Sequence, residues 1–213
     1  MTDDIFESVS QRVDGEETVE NSRIREVAHE LHRRCQLYEA KFRDGEKYVS
    51  RFEVEQRVAE LYAREKGMWL TMSDVFDLGV PGPSGNENDT YVSNDIIYKV
   101  NNLLNSGGIL NLFAKLFMHN NLFYDTCYSL YGFTGFEGRS VMPVFKQPLI
   151  RNARPATPVE IDTYMAALGF LKLNDKGRFS NDVYEVWDVV PRNVLKDEEG
   201  DIYIVDAEIK MLR

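Results

Sequence analysis

Ile24, Val27, Leu31, Cys35, Tyr38 and Phe42 recur at steps of three and four through an otherwise charged stretch. That spacing keeps them on one stripe of a 3.6-residue helix. A helix is therefore expected to run to about Phe42 and to stop near Gly45. Val54, Val58, Leu61 and Tyr62 repeat the pattern, with Gly67 as the stop. The two segments predict an antiparallel helical pair over 23–76. Residues 1–22 are polar and acidic and read as a flexible tail. His29-Glu30-Leu31-His32 does not have the i, i+4 histidine spacing of a zinc helix and reads as a solvated helix face.

From residue 77 the pattern changes. Leu78–Asn86 is rich in Gly, Pro and Asn, a turn composition. Thr90-Tyr91-Val92 and Ile96–Val100, on either side of Ser93-Asn94-Asp95, predict a hairpin. Ile109, Phe113, Leu116 and Phe117 share a helical face over 109–120, entered through Gly107-Gly108. Within that helix His119 reads as a core or capping histidine. Cys127–Phe133 and Val141–Gln147 read as strands joined at Gly135–Gly138. Thr157-Pro158-Val159-Glu160 is the clearest helix start, with a capping threonine, proline at the first helical position and the glutamate of a capping box. Ile161, Tyr164, Met165 and Leu168 are its expected buried face, and Gly169 ends it. Between Tyr184 and Asp206, two short apolar runs flank Asp197-Glu198-Glu199-Gly200 and predict a hairpin with a charged turn. Helices and strands are segregated, which is the α+β pattern. The expected division is a tail at 1–22, helices at 23–76, a sheet region at 77–150 and a final part at 151–213.

Composition narrows the function classes. Lys+Arg is 25 and Asp+Glu is 35 in 213 residues, a net charge of −10. That field repels a duplex, so nucleic acid is not an expected partner. Two cysteines without a C-x-x-C argue against a disulfide scaffold and a cysteine zinc site. The acidic N-terminus lacks a secretory h-region, and no apolar run approaches the roughly 18 residues of a membrane span. The expectation is a cytoplasmic protein with no membrane partner.

The chemistry concentrates in Asp188-Val189-Val190-Pro191-Arg192-Asn193-Val194-Leu195, with Asp206 eighteen residues past Asp188. Phosphoryl transfer needs a carboxylate to orient or deprotonate the attacking hydroxyl. It also needs hard oxygen ligands to hold magnesium against the phosphates. A loop between Asp188 and Asn193, backed by a hairpin ending at Asp206, supplies all three oxygens.

These residues resemble the protein-kinase-like superfamily. Asp188–Leu195 matches every fixed position of the kinase loop D-x-x-P-x-N-[IV]-L. Asp206-Ala207-Glu208 is similar to the D-x-[DE] ending of aminoglycoside phosphotransferases rather than to D-F-G. The resemblance implies Asp188 as catalytic base and Asn193 and Asp206 as magnesium ligands. Upstream, Gly82–Val92 followed by Ile96-Ile97-Tyr98-Lys99 is similar to a glycine-rich phosphate loop and lysine strand. It implies that Gly82 and Gly85 let backbone approach the phosphates and that Lys99 contacts them. Val141–Phe145 then resembles the strand into the hinge, and Lys146-Gln147-Pro148-Leu149 the hinge, with Gln147 at the adenine. Read alone, Lys99 is a surface lysine on an edge strand; Gly82 and Gly85 have the alternative of a plain linker, and the downstream motif that of a chance loop in an unrelated α+β protein.

A narrower resemblance spans roughly residues 50–210. Gly67-Met68-Trp69-Leu70, Tyr98-Lys99-Val100-Asn101, His119–Phe123, Tyr128–Phe133, Gln147-Pro148 and Gly169-Phe170 are similar to the kinase domain of polyvalent proteins from bacterial, especially Bacteroidetes, mobile elements. The implied fold is a minimal two-lobed kinase with a small antiparallel sheet, an N-terminal helical pair and a truncated C-terminal lobe. The implied activity is transfer of the γ-phosphoryl group of ATP, with Mg2+, to a hydroxyl of an unknown small molecule or protein. Two departures stand out. Helix 109–120 offers Asn111, Lys115 and His119 but no glutamate to pair with Lys99, leaving Glu87 as a substitute, and only seven residues follow Asp206. They give the alternative of a catalytically silent, pseudokinase-like binding or regulatory module.

Overall fold

The first apolar stripe is buried as helix α1 (Val19–Ala40), with Ile24, Val27, Ala28, Leu31 and Cys35 inward. The computed structural model describes residues 6, 17–40, 49–138 and 140–212. The expected helix end near Phe42 lies outside the described residues. Phe6, within the span read as a tail, is buried edge-on against Phe117, with ring centroids 5.1 Å apart. Helix α2 (Arg51–Glu65) opens with a Ser50/Glu53 capping box and buries Val54, Val58, Ala59, Tyr62 and Ala63. Leu61 is exposed instead, because the i, i+4 row from Val54 through Val58 to Tyr62 takes the inward face. Arg51 pairs with Glu39, and Arg34 with Glu65, so the end of α1 meets the start of α2 and the pair is antiparallel.

The chain forms two units, Met1–Phe117 with Tyr128–Gln147 and Met118–Cys127 with Pro148–Arg213. In the first, a short helix α3 (Met72–Phe76) precedes β1 (Val80–Pro81), β2 (Asn88–Ser93) and β3 (Ile96–Asn101). Helix α4 (Ile109–Leu122) follows, its residues to Phe117 in this unit, and then β4 (Ser129–Phe136) and β5 (Ser140–Pro148). The strands form one sheet in the order β1-β2-β3-β5-β4. Successive residues of β5 serve opposite faces. Phe145 packs with Phe113 of α4, centroids 5.7 Å apart. Val144 joins Val75, Leu78 and Val100 on the α3 side. The β4 edge is partly covered, since Leu70 N donates to the Phe133 carbonyl and Phe133 N to that of Met68. Gln56 of α2 exchanges hydrogen bonds with the Val141 backbone, and Asn21 of α1 donates to the Phe117 carbonyl at 3.2 Å. The helical pair and the sheet region thus belong to one compact unit.

The second unit holds β6 (Arg154–Pro155), helix α5 (Pro158–Ala167), β7 (Leu171–Asn174), β8 (Arg178–Ser180), β9 (Tyr184–Trp187), β10 (Val194–Lys196), β11 (Ile202–Ile204) and β12 (Glu208–Met211). Two antiparallel sheets result, β11-β10-β6 and β12-β9-β8-β7. Thr157 and Glu160 complete the expected capping box of α5. Its buried face is Ile161 and Met165, whereas Leu168 turns outward and Phe170 is buried in its place. Arg154, the Thr157 N–H and Lys196 hold the Glu160 carboxyl well below the usual carboxylate range. The expected charged hairpin is β10–β11. Asp197 builds its turn, accepting from Gly200 N and Asp201 N at 2.8 Å each. Hairpin β7–β8 and strand β12 were not expected. Glu185 of β9, nearly buried, pairs with Arg178 of β8 and with Lys210 of β12, tying three strands together.

Candidate functional site

In the first unit β2 and β3 pair so that Thr90 stands opposite Lys99. Both are buried, which removes the reading of Lys99 as a surface lysine. Lys99 Nζ donates to the Tyr128 hydroxyl at 2.9 Å, and the ring centroid is 4.7 Å from it. Thr90 organises the glycine-bearing loop. Its carbonyl accepts from Gly82 N at 2.9 Å, and its hydroxyl donates to the Pro83 carbonyl at 2.9 Å. A Cβ at Gly82 would stand 2.8 Å from Thr90 Oγ1, so the close approach requires glycine. Gly85 N donates to the Asn88 carbonyl. Both glycine amides are therefore committed to β2. What these residues give the loop is space and curvature rather than free donors.

Helix α4 starts against α2. Glu55 Oε2 accepts from Ile109 N at 3.0 Å and Leu110 N at 3.4 Å, satisfying donors that a helix start leaves open. The same carboxylate explains Gly108, whose Cβ would lie 2.8 Å from it. Lys115 of α4 pairs with Glu87 at 3.7 Å, so Glu87 serves the helix lysine. Gln147 is buried near the end of β5, and the chain leaves the first unit between Gln147 and Pro148, inside the stretch read as a hinge.

In the second unit two ladders converge on the motif. Trp187 pairs with Glu208 between β9 and β12, so Asp188 continues one ladder just as Asp206 and Ala207 lead into it. Val194 pairs with Ile204 between β10 and β11, and Val205 N extends that ladder by donating to the Asn193 carbonyl at 3.0 Å. Backbone pairing on both sides thus brings the segments carrying Asp188, Asn193 and Asp206 to one end of the two sheets.

The loop itself is built by side-chain chemistry. Asp188 sits at φ +61°, a left-handed conformation that aspartate tolerates better than most residues. Asn193 Nδ2 donates to the Asp188 carbonyl at 2.9 Å and to its Oδ2 at 2.8 Å. The Asn193 amide is thereby turned with Oδ1 away from Asp188. Arg192 pairs with Asp188 Oδ1 from an exposed position. Residues 191–193 form a 3-10 turn, Asn193 N donating to the Val190 carbonyl at 2.8 Å. Val189 N donates to the Gly177 carbonyl, so the β7–β8 turn buttresses the loop. Two carboxylates and an amide oxygen are the hard donors that suit magnesium. His119 is buried with Nε2 3.1 Å from the Thr126 hydroxyl, which itself donates to the Ile204 carbonyl at 2.6 Å behind β11.

Two partners escaped the sequence reading. Arg192 carried a signal, a cation four residues after an acid. Tyr128, distant from Lys99 in the chain, carried none.

Among the described residues no helix is long and apolar enough to cross a membrane. No curated protein matches the chain. Residues 53–213 match the family described as Serine/Threonine/Tyrosine Kinase found in polyvalent proteins. With about three quarters of its length matched, from α2 through the Asp188 loop to the end, the chain belongs to that kinase family.

Proposed function

We propose that the chain binds Mg-ATP and transfers its γ-phosphoryl group to a hydroxyl acceptor. One observation carries the reading: the β9–β12 and β10–β11 ladders meet at the segments bearing Asp188, Asn193 and Asp206. Asn193 Oδ1 and the Asp206 carboxylate would hold magnesium, which would supply charge neutralisation at the phosphates. Lys99 takes nucleotide phosphates beneath the loop that contains Gly82 and Gly85, and Gln147 lies at the adenine end. Asp188 orients the acceptor hydroxyl and takes its proton as the new O–P bond forms and ADP leaves. Its Oδ1 is held by Arg192 and its Oδ2 by Asn193. The hydroxyl therefore replaces Arg192 at Oδ1. An exposed ion pair is worth at most about 1 kcal/mol, so that exchange is easy. The acceptor is a small molecule or a protein side chain.

The second reading is a catalytically silent binding module. The observation favouring it is that α4 carries no carboxylate that could pair with Lys99. Calorimetric titration of ATP into the full chain, with and without magnesium and repeated on Asp206→Ala, separates the two. Magnesium-dependent binding that disappears in the variant is the expected result. Failure to bind under either condition, or binding indifferent to both magnesium and Asp206, overturns the first reading.

A further inference from the structure

We propose that Tyr128 is the positioning residue of Lys99, taking the part that a helix glutamate plays in protein kinases. The inference rests on Lys99 being the phosphate-binding lysine proposed above. A protein kinase needs its strand lysine held in place, and the usual holder is a carboxylate on the following helix. Here that helix, α4, has no acidic residue from Ile109 to Leu122, and its lysine, Lys115, pairs with Glu87. Lys99 is nonetheless 7% exposed, and a buried ammonium requires an acceptor. The Tyr128 hydroxyl provides one at 2.9 Å.

Tyr128 is itself fixed. It is 4% exposed, its ring meets Phe145 edge-on at 6.3 Å, and its backbone leads directly into β4. The acceptor is thus carried by the sheet and not by α4. The Tyr128 hydroxyl orients the Lys99 ammonium from the sheet, and as a neutral phenol it adds no negative charge of its own.

The test compares the full chain with Tyr128→Phe, which keeps the ring and removes the acceptor. Binding of Mg-ATP and of adenosine is measured calorimetrically. The lysine Nζ resonances are followed by nitrogen-15 NMR, with Lys99→Arg assigning the Lys99 signal. The expected result is an affinity for Mg-ATP about tenfold lower, as for loss of one hydrogen bond to a charged group. Adenosine, which lacks phosphates, binds unchanged, and the slowly exchanging Lys99 signal disappears. Equal loss for both ligands would show a merely structural tyrosine, and no loss for either would show that Tyr128 positions nothing; each overturns the proposal. If the unaltered chain binds neither ligand, the nucleotide reading falls and takes the role with it. The Lys99 signal still reports, independently, whether the pair exists.

Discussion

Gly177 is where one methyl group should disturb the Asp188 loop most directly. The residue has φ +72° in the β7–β8 turn, and its carbonyl accepts from Val189 N at 3.1 Å. A Cβ there would stand 2.8 Å from the Val189 carbonyl carbon and from Val190 Cγ1, and closer still to the Val189 oxygen. Gly169, just past α5, provides the control. Its φ is +80°, and a Cβ would meet nothing within 4 Å. Gly169→Ala therefore carries only the left-handed backbone penalty, about 1–2 kcal/mol. Gly177→Ala carries that penalty and a clash with backbone that cannot rotate away. Forcing atoms into a packed site costs about 1–3 kcal/mol. The loss of unfolded-state freedom on replacing glycine is common to both and cancels in the comparison. Gly177→Ala is expected to be the less stable variant by about 1–3 kcal/mol. Urea denaturation followed by Trp187 fluorescence, in a Trp69→Phe background, reads the second unit alone. Variants that agree within about 0.5 kcal/mol would refute the claim that the turn's backbone bears on the loop.

Three further outcomes concern the helices. Glu55→Ala should destabilise the first unit by about 1 kcal/mol, since the start of α4 loses its acceptor. Gly108→Ala should be harmful with Glu55 present and nearly neutral without it, a coupling of about 0.5–1 kcal/mol in a double-mutant cycle; additive effects would show that Glu55 does not dictate that glycine. Arg33 and then Arg34 lower the Glu30 carboxyl from 4.5 to about 2. A carboxylate with a depressed folded value stabilises above its unfolded value and loses that contribution as pH falls. The stability difference between the unaltered chain and Glu30→Gln should therefore be constant above pH 4.5 and shrink towards pH 2. Being a half-exposed pair, it should not exceed about 1 kcal/mol, and a difference independent of pH across that window would contradict the assignment.

The elements legible in sequence are those whose signal is local. Thr157-Pro158-Val159-Glu160 starts α5 because a cap and its box lie within four residues. The β2–β3 hairpin shows because its turn residues interrupt two β-branched runs. The strands missed had little pattern to show. All four residues of β7 are exposed, so no alternation marks them, and β12 is four residues paired with a strand more than twenty positions earlier. The same division holds at the site. The segments bearing Asp188, Asn193 and Asp206 show in the spacing, because two short ladders convert that spacing into neighbouring backbone. The residues that support them are set by packing across the fold. Gly107-Gly108 looks like a weak helix entry until Glu55 is seen to occupy the space a side chain would need. Lys99 looks exposed until β3 is seen with β2 on one side and β5 on the other.

The strict spacing inside the Asp188 loop also has a local cause. Residue 188 must hold a left-handed backbone, which a β-branched or bulky residue resists and a short polar one accepts. Residue 193 must donate to both the carbonyl and the carboxylate of residue 188 while presenting an oxygen in the opposite direction. A carboxamide carries an N–H donor and an oxygen acceptor on one short planar group. Aspartate at 193 would set a second carboxylate against the first, and leucine would offer neither atom. The 3-10 turn at 191–193 fixes the reach between the two, and Pro191 supplies the backbone angle with which that turn begins. The asparagine therefore builds the loop with its nitrogen and leaves its oxygen turned away from Asp188, which is the atom the proposed magnesium role would use.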